Sequence, residues 1–465
     1  RQRQLCIRDS YLRRAIQETG QEMVTYVPVA TRDQFINAIG YLIRRLDENT
    51  GEKNFLRQLN RLDPNSNAWQ FLTDHFKASV RQKNQPAKTP HRVQNRLTEK
   101  FPQKMGAYLR GKFENEPNTD WSLPANRDWA AKIRKKWQKK PDDNPLAIPL
   151  VIAAEEIFDD REIRETGDPS QFDSRVVVAR TAMANAADID RAVATAAEDP
   201  DGWRRMTSWQ RHRILTRVAA ELHCSRGDLI GAAAANTGKV FTEADPEVSE
   251  AIDFAEYYPF STTAFSDIDP LRCRGKGVGV VISPWNFPIA IPCGGIVAAL
   301  AAGNTVIFKP SSDALLVAWV LCQCFWRAGV SQNTLQLLPC SGATTAAKLT
   351  NNPAVDFIIL TGGTATGLSI LKQRPGILLA AETGGKNATI VTAMSDRDQA
   401  ISTAIYSAFG NSGQKCSATS RLILEPEVYE DTHFKKQLVD AARSISTGSA
   451  WDFFNKMGPL IKPPQ

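Results

Sequence analysis

Ser412-Gly413-Gln414-Lys415-Cys416-Ser417-Ala418 sets a cysteine in a loop of small and polar residues, directly after a lysine. Small neighbours leave a thiol accessible, and a nearby positive charge favours the thiolate, the form that attacks a carbonyl carbon. Cys416 is therefore the candidate nucleophile, although a cysteine judged alone is more often a small, inert hydrophobe. None of the five histidines, His75, His91, His212, His223 and His433, lies close in sequence. That leaves a Cys-His pair open, because such partners meet in space.

Four further strings carry groups that acyl chemistry or a bound nucleotide needs. Glu382 stands ahead of a Gly384-Gly385 turn, after the apolar strand Ile377-Leu378-Leu379-Ala380. An enclosed position there would raise its pKa toward general-base work, while the alternative is a carboxylate that bonds the turn's own amides. Ser283-Pro284-Trp285-Asn286-Phe287-Pro288 follows another strand, and its Asn286 could donate to a developing oxyanion or merely shape the turn. Lys309 ends the strand Thr305-Val306-Ile307-Phe308, where a nucleotide ribose would lie, although a solvated strand-end lysine fits as well. Thr361-Gly362-Gly363 leads into a helix and offers amides to a pyrophosphate, but it is not the G-x-G-x-x-G pattern.

The elements that must position these groups alternate from Lys276 onward. Strands are expected at Val278 to Ile282, Thr305 to Phe308, Thr334 to Leu338 and Phe357 to Leu360, with helical periodicity between them, as from Ala314 to Ala328. Repeated βα units of this length predict an α/β fold with a doubly wound parallel sheet, whose ligands sit at the carboxyl ends of the strands. Agreement among several strand ends outweighs any one glycine-rich turn.

The 465 residues, 42% of them hydrophobic, suffice for two or three domains. The longest apolar stretch, Pro288 to Ala302, is too short for a membrane span and is broken by Pro292 and Gly294-Gly295. No secretory h-region opens the chain, and its eight cysteines lack framework spacing, which fits reduced thiols and a cytoplasmic setting. Much of the net charge of +7 precedes residue 141, notably in the run from Lys132 to Lys140. With Trp137 alone among those cations, the run reads as a solvated helix face in a linker, and nucleic acid is not the expected partner. The chain starts at Arg1 and stops at Gln465 soon after Met457-Gly458-Pro459-Leu460-Ile461, and it reads as a fragment.

Near the start, Met23-Val24-Thr25-Tyr26-Val27 reads as a strand and Thr31-Arg32-Asp33-Gln34 as a capping box. In the helix that follows, Phe35, Ile39, Leu42, Ile43 and Leu46 form the apolar stripe. Tyr41, Arg44, Arg45 and Glu48 share another face, which suits a carboxylate ligand, although a surface helix with an Arg-Glu pair is the simpler reading.

The P-W-N-F-P, N-T-V-I-x-K-P, T-G-G-T, E-T-G-G-K-N-A and G-Q-K-C-S-A strings, in this order, resemble the aldehyde dehydrogenase superfamily from about Asn115 onward. The forms around Glu382 and Cys416, and the lead-in Asn115-Glu116-Pro117-Asn118-Thr119-Asp120, are similar to the branch that oxidises glutamate semialdehyde, the open form of pyrroline-5-carboxylate. The Tyr41 to Asn49 helix resembles the last βα unit of a proline dehydrogenase barrel, as in bifunctional proline utilization A proteins.

The resemblance implies that Cys416 attacks the aldehyde, Asn286 and the Cys416 amide hold the oxyanion, and Glu382 activates water. It places Ser283, Trp285, Lys309, Ser312, Thr361, Gly362 and Gly363 around NAD, with Lys415 and Ser417 beside the aldehyde. Tyr41, Arg44 and Arg45 would hold a proline carboxylate, and FAD would belong only to the missing barrel. Ser312 replaces a ribose-binding glutamate of many relatives, so NADP stays possible.

The expected division is 1–62 for the barrel remnant, 63–143 for a basic linker and lead-in, 144–385 for the NAD(P)-binding domain and 386–465 for a truncated thiol domain. The full-length protein is expected to be a homo-oligomer acting on a small-molecule aldehyde. The chain ends before the family's E-x-F-G-P motif and substrate-anchor loop, and the isolated chain is expected to be weak or inactive. Another semialdehyde as substrate, or a non-catalytic binding role, are the alternatives.

Overall fold

A computed structural model describes residues 63–84, 89–99 and 112–462, except 175, 270, 272 and 342–344, together with residues 18 and 19. The expected strand from Met23 and the helix bearing Tyr41, Arg44 and Arg45 lie outside the described residues. The chain divides into two units, Arg1–Val93 and Gln94–Gln465. In the first, α1 (Asn67–Gln82) begins at Ser66, whose hydroxyl accepts the Trp69 N–H at 3.2 Å.

The second unit is built on a seven-stranded sheet. Its parallel part comprises β6 (Val278–Ile282), β7 (Thr305–Lys309), β8 (Leu335–Leu337), β9 (Phe357–Gly362) and β10 (Leu378–Thr383), in the spatial order β10-β9-β6-β7-β8. Each matches a strand expected from sequence to within three residues at either end. Beyond β8 the sheet continues with antiparallel β2 (Leu150–Ile152) and β3 (Glu155–Ile157), an extension no sequence pattern announced.

Successive strand residues feed opposite cores. Val306 and Phe308 face the cluster that holds α7 (Ala290–Ala301) and α8 (Leu315–Arg327). Ile307 faces the cluster that holds α3 (Ala186–Glu198), α9 (Thr345–Asn351) and α10 (Thr364–Gln373). A strand covered on both faces must be apolar throughout, which is why these strands read as unbroken runs. The Pro288 to Ala302 stretch becomes the buried helix α7, and no helix among the described residues is long and apolar enough to cross a membrane.

From β6 the chain winds outward through β7 to β8, then crosses back to β9 and β10 on the other side of β6. The order therefore reverses between β6 and β9, and their carboxyl ends flank the crevice where open α/β sheets bind ligands. A second sheet, β1 (Leu146–Ile148), β5 (Val177–Met183) and β4 (Glu162–Gly167), is arranged β1-β5-β4. A third pairs β11 (Asn387–Val391) with β12 (Thr419–Leu424) in parallel. It packs with α11 (Arg397–Phe409), α12 (Pro426–Glu430) and α13 (Thr432–Arg443) around Val391, Ile401, Val428 and Phe434.

The basic run, up to Trp137, forms the solvated helix face expected of it, but the same helix also has a buried side. That helix is α2 (Pro124–Trp137), which buries Asn126, Ala130 and Ile133 and seats Trp137 over Gly231 of α5 (Arg226–Thr237). Lys136 pairs with Asp228 at 2.5 Å, and Arg134 donates to the Trp451 carbonyl at 3.2 Å. Apolar residues interleaved at helical spacing make this helix amphipathic, and its cations, Arg127, Lys132, Arg134, Lys135 and Lys136, all stay exposed.

Candidate active site

One cleft of about 1220 Å³ collects the carboxyl ends of β6, β7, β9 and β10 together with the loop that precedes β12. It is lined by Ser283, Trp285, Asn286, Lys309, Ser312, Thr361, Gly362, Gly363, Glu382, Lys415, Cys416 and Ser417, which are the sequence-derived candidates of this unit. Residues separated by more than a hundred positions thus share one cavity.

Cys416 is exposed in the cleft. Its loop is shaped by three consecutive left-handed residues, Asn411, Ser412 and Gly413, at φ 51°, 59° and 71°. The Asn411 side chain and the Asn286 side chain both donate to the Gln414 carbonyl, at 3.5 and 2.9 Å. The Asn286 amide has two hydrogens, and one remains for a ligand.

Other cysteines differ in character. Burial pushes the Cys293 and Cys322 thiols well up and brings Cys324 up to about 11. Those thiols stay protonated and inert near neutrality. No histidine lines the cleft among the described residues, so a Cys-His pair is absent from it.

The Gly384-Gly385 turn has a physical cause. A Cβ at Gly384 (φ +69°) would sit 2.6 Å from the Thr364 hydroxyl, and one at Gly385 (φ +141°) would sit 2.4 Å from the Cys416 carbonyl oxygen. The backbone leaving β10 just after Glu382 thus passes directly against the nucleophile loop. Asn387, two residues on, donates its Nδ2 to the same carbonyl at 2.5 Å.

Glu382 itself is exposed, not enclosed as its apolar lead-in suggested. The strand β10 lies at the sheet edge with β9 as its single neighbour and has no fully buried residue. The carboxylate reaches water from the open side.

Lys415 turns its ammonium onto Glu243 Oε2 at 2.7 Å, with the Tyr406 and Phe287 rings 5.6 and 6.0 Å away. Its charge is therefore matched by a carboxylate that sequence reading did not connect with it. At the other end, burial holds the Lys309 ammonium below its ordinary lysine value, with the Cys340 thiol acting the opposite way. Arg164, on β4, was also missed. It donates to the Ser312 carbonyl and to Asp313, each at 3.1 Å, and Lys462 pairs with Asp313 at 2.6 Å. Neither contact has a local signature, because Arg164 lies on a different sheet from the strand end it meets.

The cleft can hold an extended, partly anionic ligand. Gly363 caps α10 without a side-chain bond, so backbone amides face that end, and Arg164, Lys309 and Lys462 outnumber Asp313 beside it. Among the described residues no cluster suited to a metal ion occurs.

Comparison with known proteins agrees with this geometry. Residues 160–465 match the model of the aldehyde dehydrogenase family. The 1-pyrroline-5-carboxylate dehydrogenase of Geobacillus kaustophilus (strain HTA426) is 35% identical over 367 residues, which is 75% of this chain and 70% of that protein. A crystal structure of 1-pyrroline-5-carboxylate dehydrogenase from Thermus with bound NAD superposes with TM-score 0.69 at 32% identity, covering 75% of this chain and 70% of that one. Proline utilization A from Bdellovibrio bacteriovorus, inactivated by N-propargylglycine, superposes with TM-score 0.75 at 31% identity over 96% of this chain. The chain spans 45% of the length of that protein. A cysteine, an asparagine and a glutamate drawn to one nucleotide-type crevice are what this matching sequence folds to make, and the chain belongs to the aldehyde dehydrogenase family.

Proposed function

We propose that the protein oxidises L-glutamate γ-semialdehyde, in equilibrium with pyrroline-5-carboxylate, to L-glutamate with NAD. The observation that carries this reading is the convergence of Cys416, Asn286 and Glu382 on one cleft at the strand-order reversal. The names of the relatives with 30% identity or more supply the substrate class.

In this reading the Cys416 thiolate adds to the aldehyde carbon. The free Asn286 amide hydrogen and the Cys416 N–H stabilise the oxyanion, a contribution of about 3–4 kcal/mol per donor. A nicotinamide cofactor held in this cleft would supply the two-electron oxidation, as a hydride acceptor, that converts the adduct to a thioester. Glu382, open to water, takes a proton from the water that attacks the thioester carbonyl, and glutamate leaves as the Cys416 thiolate is restored. Lys415 and Ser417 flank the aldehyde. Ser283, Trp285, Thr361, Gly362 and Gly363 would border the cofactor, with Lys309 and Ser312 at its adenosine ribose. Without a carboxylate at 312, and with Arg164 and Lys462 nearby, NADP is accepted as well as NAD.

The three-part division at 63, 144 and 386 belongs to the same proposal, as do a homo-oligomeric full-length protein and the proline dehydrogenase origin of residues 1–62. Coverage of 96% of the chain by the proline utilization A structure, against 75% by the monofunctional enzyme, supports that origin. The test is the turnover of full-length protein with pyrroline-5-carboxylate and with propanal, read as NADH formation. A higher kcat/KM for pyrroline-5-carboxylate is expected, and a preference for propanal would overturn the substrate assignment.

A further inference from the structure

Lys239 and Glu247 are 1% and 2% exposed, and their side chains form an ion pair. Burying two charges costs several kcal/mol per ion, so such a pair is weak evidence of a stabilising role. Its remaining side-chain hydrogen bonds go to one short segment. Lys239 Nζ donates to the Asn286 carbonyl at 2.9 Å and lies 4.1 Å from the Phe287 ring centroid. Glu247 Oε2 accepts the N–H of Ile289 at 3.0 Å and of Ala290 at 3.2 Å, where α7 begins with no side-chain cap of its own.

The pair thereby holds the β6–α7 connection from Asn286 to the first residue of α7. The Asn411 amide reaches the same Asn286 carbonyl at 3.3 Å, from the loop that carries Cys416. With its carbonyl held from two directions, the Asn286 backbone has little freedom to rotate its side chain away from the cleft.

We propose that Lys239 and Glu247 are positioning residues for Asn286, setting the aim of its amide at the oxyanion. This rests on the roles of Cys416 and Asn286 given above. Neither residue touches substrate, since neither lines the cleft.

The test separates attack that builds an oxyanion from attack that does not. With p-nitrophenyl acetate, the Cys416 thiolate forms a C–S bond through a tetrahedral oxyanion. The C–O bond then breaks to release p-nitrophenolate and leave acetyl-Cys416. With iodoacetamide, the same thiolate displaces iodide at an sp³ carbon with no oxyanion.

Both rates are followed at Cys416 by peptide mass, in the unchanged protein, Lys239→Met and Glu247→Gln, with Cys416→Ala as the background. Acetylation should slow about tenfold or more in both variants, while alkylation stays within about twofold. If Lys239→Met does not fold, the isosteric Glu247→Gln decides the matter. Parallel change or no change in the two rates would overturn the positioning role alone. Absence of Cys416-dependent acetylation in the unchanged protein would overturn the nucleophile assignment, and this inference with it.

Discussion

Replacing Gly385 with alanine should cripple the nucleophile from a residue that bears no functional group. The added Cβ would lie 2.4 Å from the Cys416 carbonyl oxygen, against 3.4 Å for the onset of ordinary contact, a deficit of 3.4 − 2.4 = 1.0 Å. That oxygen is backbone and is gripped by Asn387, so it cannot rotate aside as a flexible side chain would. The φ of +141° adds a conformational cost of about 1–3 kcal/mol for any L-residue, and an unrelieved overlap adds about 1–3 kcal/mol more.

The cheaper escape is for the turn and the Cys416 loop to part by roughly 1 Å. Displacements of that size cost about a hundredfold in rate when nucleophile and oxyanion donors must align. Acetylation of Cys416 by p-nitrophenyl acetate should therefore fall about a hundredfold in Gly385→Ala. The circular dichroism spectrum should be kept, because Gly385 is exposed and outside the buried clusters. An alanine variant that acetylates within twofold of the unchanged protein would refute the claim that the turn presses on the loop.

Two further outcomes follow from charge. Hydrogen bonds to Glu116 and then Glu99 raise the His223 pKa above its ordinary 6.5. For Glu99, burial pushes upward but the bonds from His223 and Arg96 outweigh it, so its pKa is lowered. A raised histidine stabilises fully below pH 6.5 and loses that contribution as pH rises through its folded value. The lowered glutamate stabilises above about 4.5 and loses its share as pH falls. Urea midpoints should decline on the alkaline side of 6.5, and His223→Gln should remove that decline at a cost of about 1.5 kcal/mol at pH 6; an unchanged slope would contradict it. Separately, Ser312→Glu should weaken NADP binding about tenfold or more, roughly 1.4 kcal/mol, while sparing NAD. Calorimetric titration with both nucleotides reads this directly, and an unaltered ratio of affinities would sink it.

The legible parts of this fold were those with a local cause. Strands β6, β7 and β9 announce themselves because burial on both faces demands unbroken apolar runs, and the residues after them are found by position alone. The same logic pointed to Asn286, whereas Cys416 was read from its loop of small residues and the lysine before it. The strand logic misjudged Glu382, whose apolar lead-in looked like an interior strand although β10 lies at an edge; edge position is a property of the sheet and not of the strand. Strands β2 and β3 are three residues each, and β2 joins the sheet through β8, about 185 positions away, so no window of sequence shows where this hairpin attaches.

Lys239 escaped notice for a related reason. A lysine after a helix-ending glycine reads as solvated, and only the fold brings Asn286 and Glu247 to its amine. The basic run around Lys135 was legible only on one side. Its cations were read as a solvated helix face and are exposed, while the packing of Ala130 and Ile133 on the other side was not read.

The central claim is that Cys416 carries the acyl group and Glu382 releases it. Full-length protein bearing Glu382→Gln, mixed with pyrroline-5-carboxylate and NAD, should give a stoichiometric burst of NADH and then stall. Acid quenching should yield a glutamyl thioester that peptide mass assigns to Cys416, and Cys416→Ser should abolish both the burst and the adduct. Continued turnover without an adduct, or an acyl group on any other residue, would contradict the account.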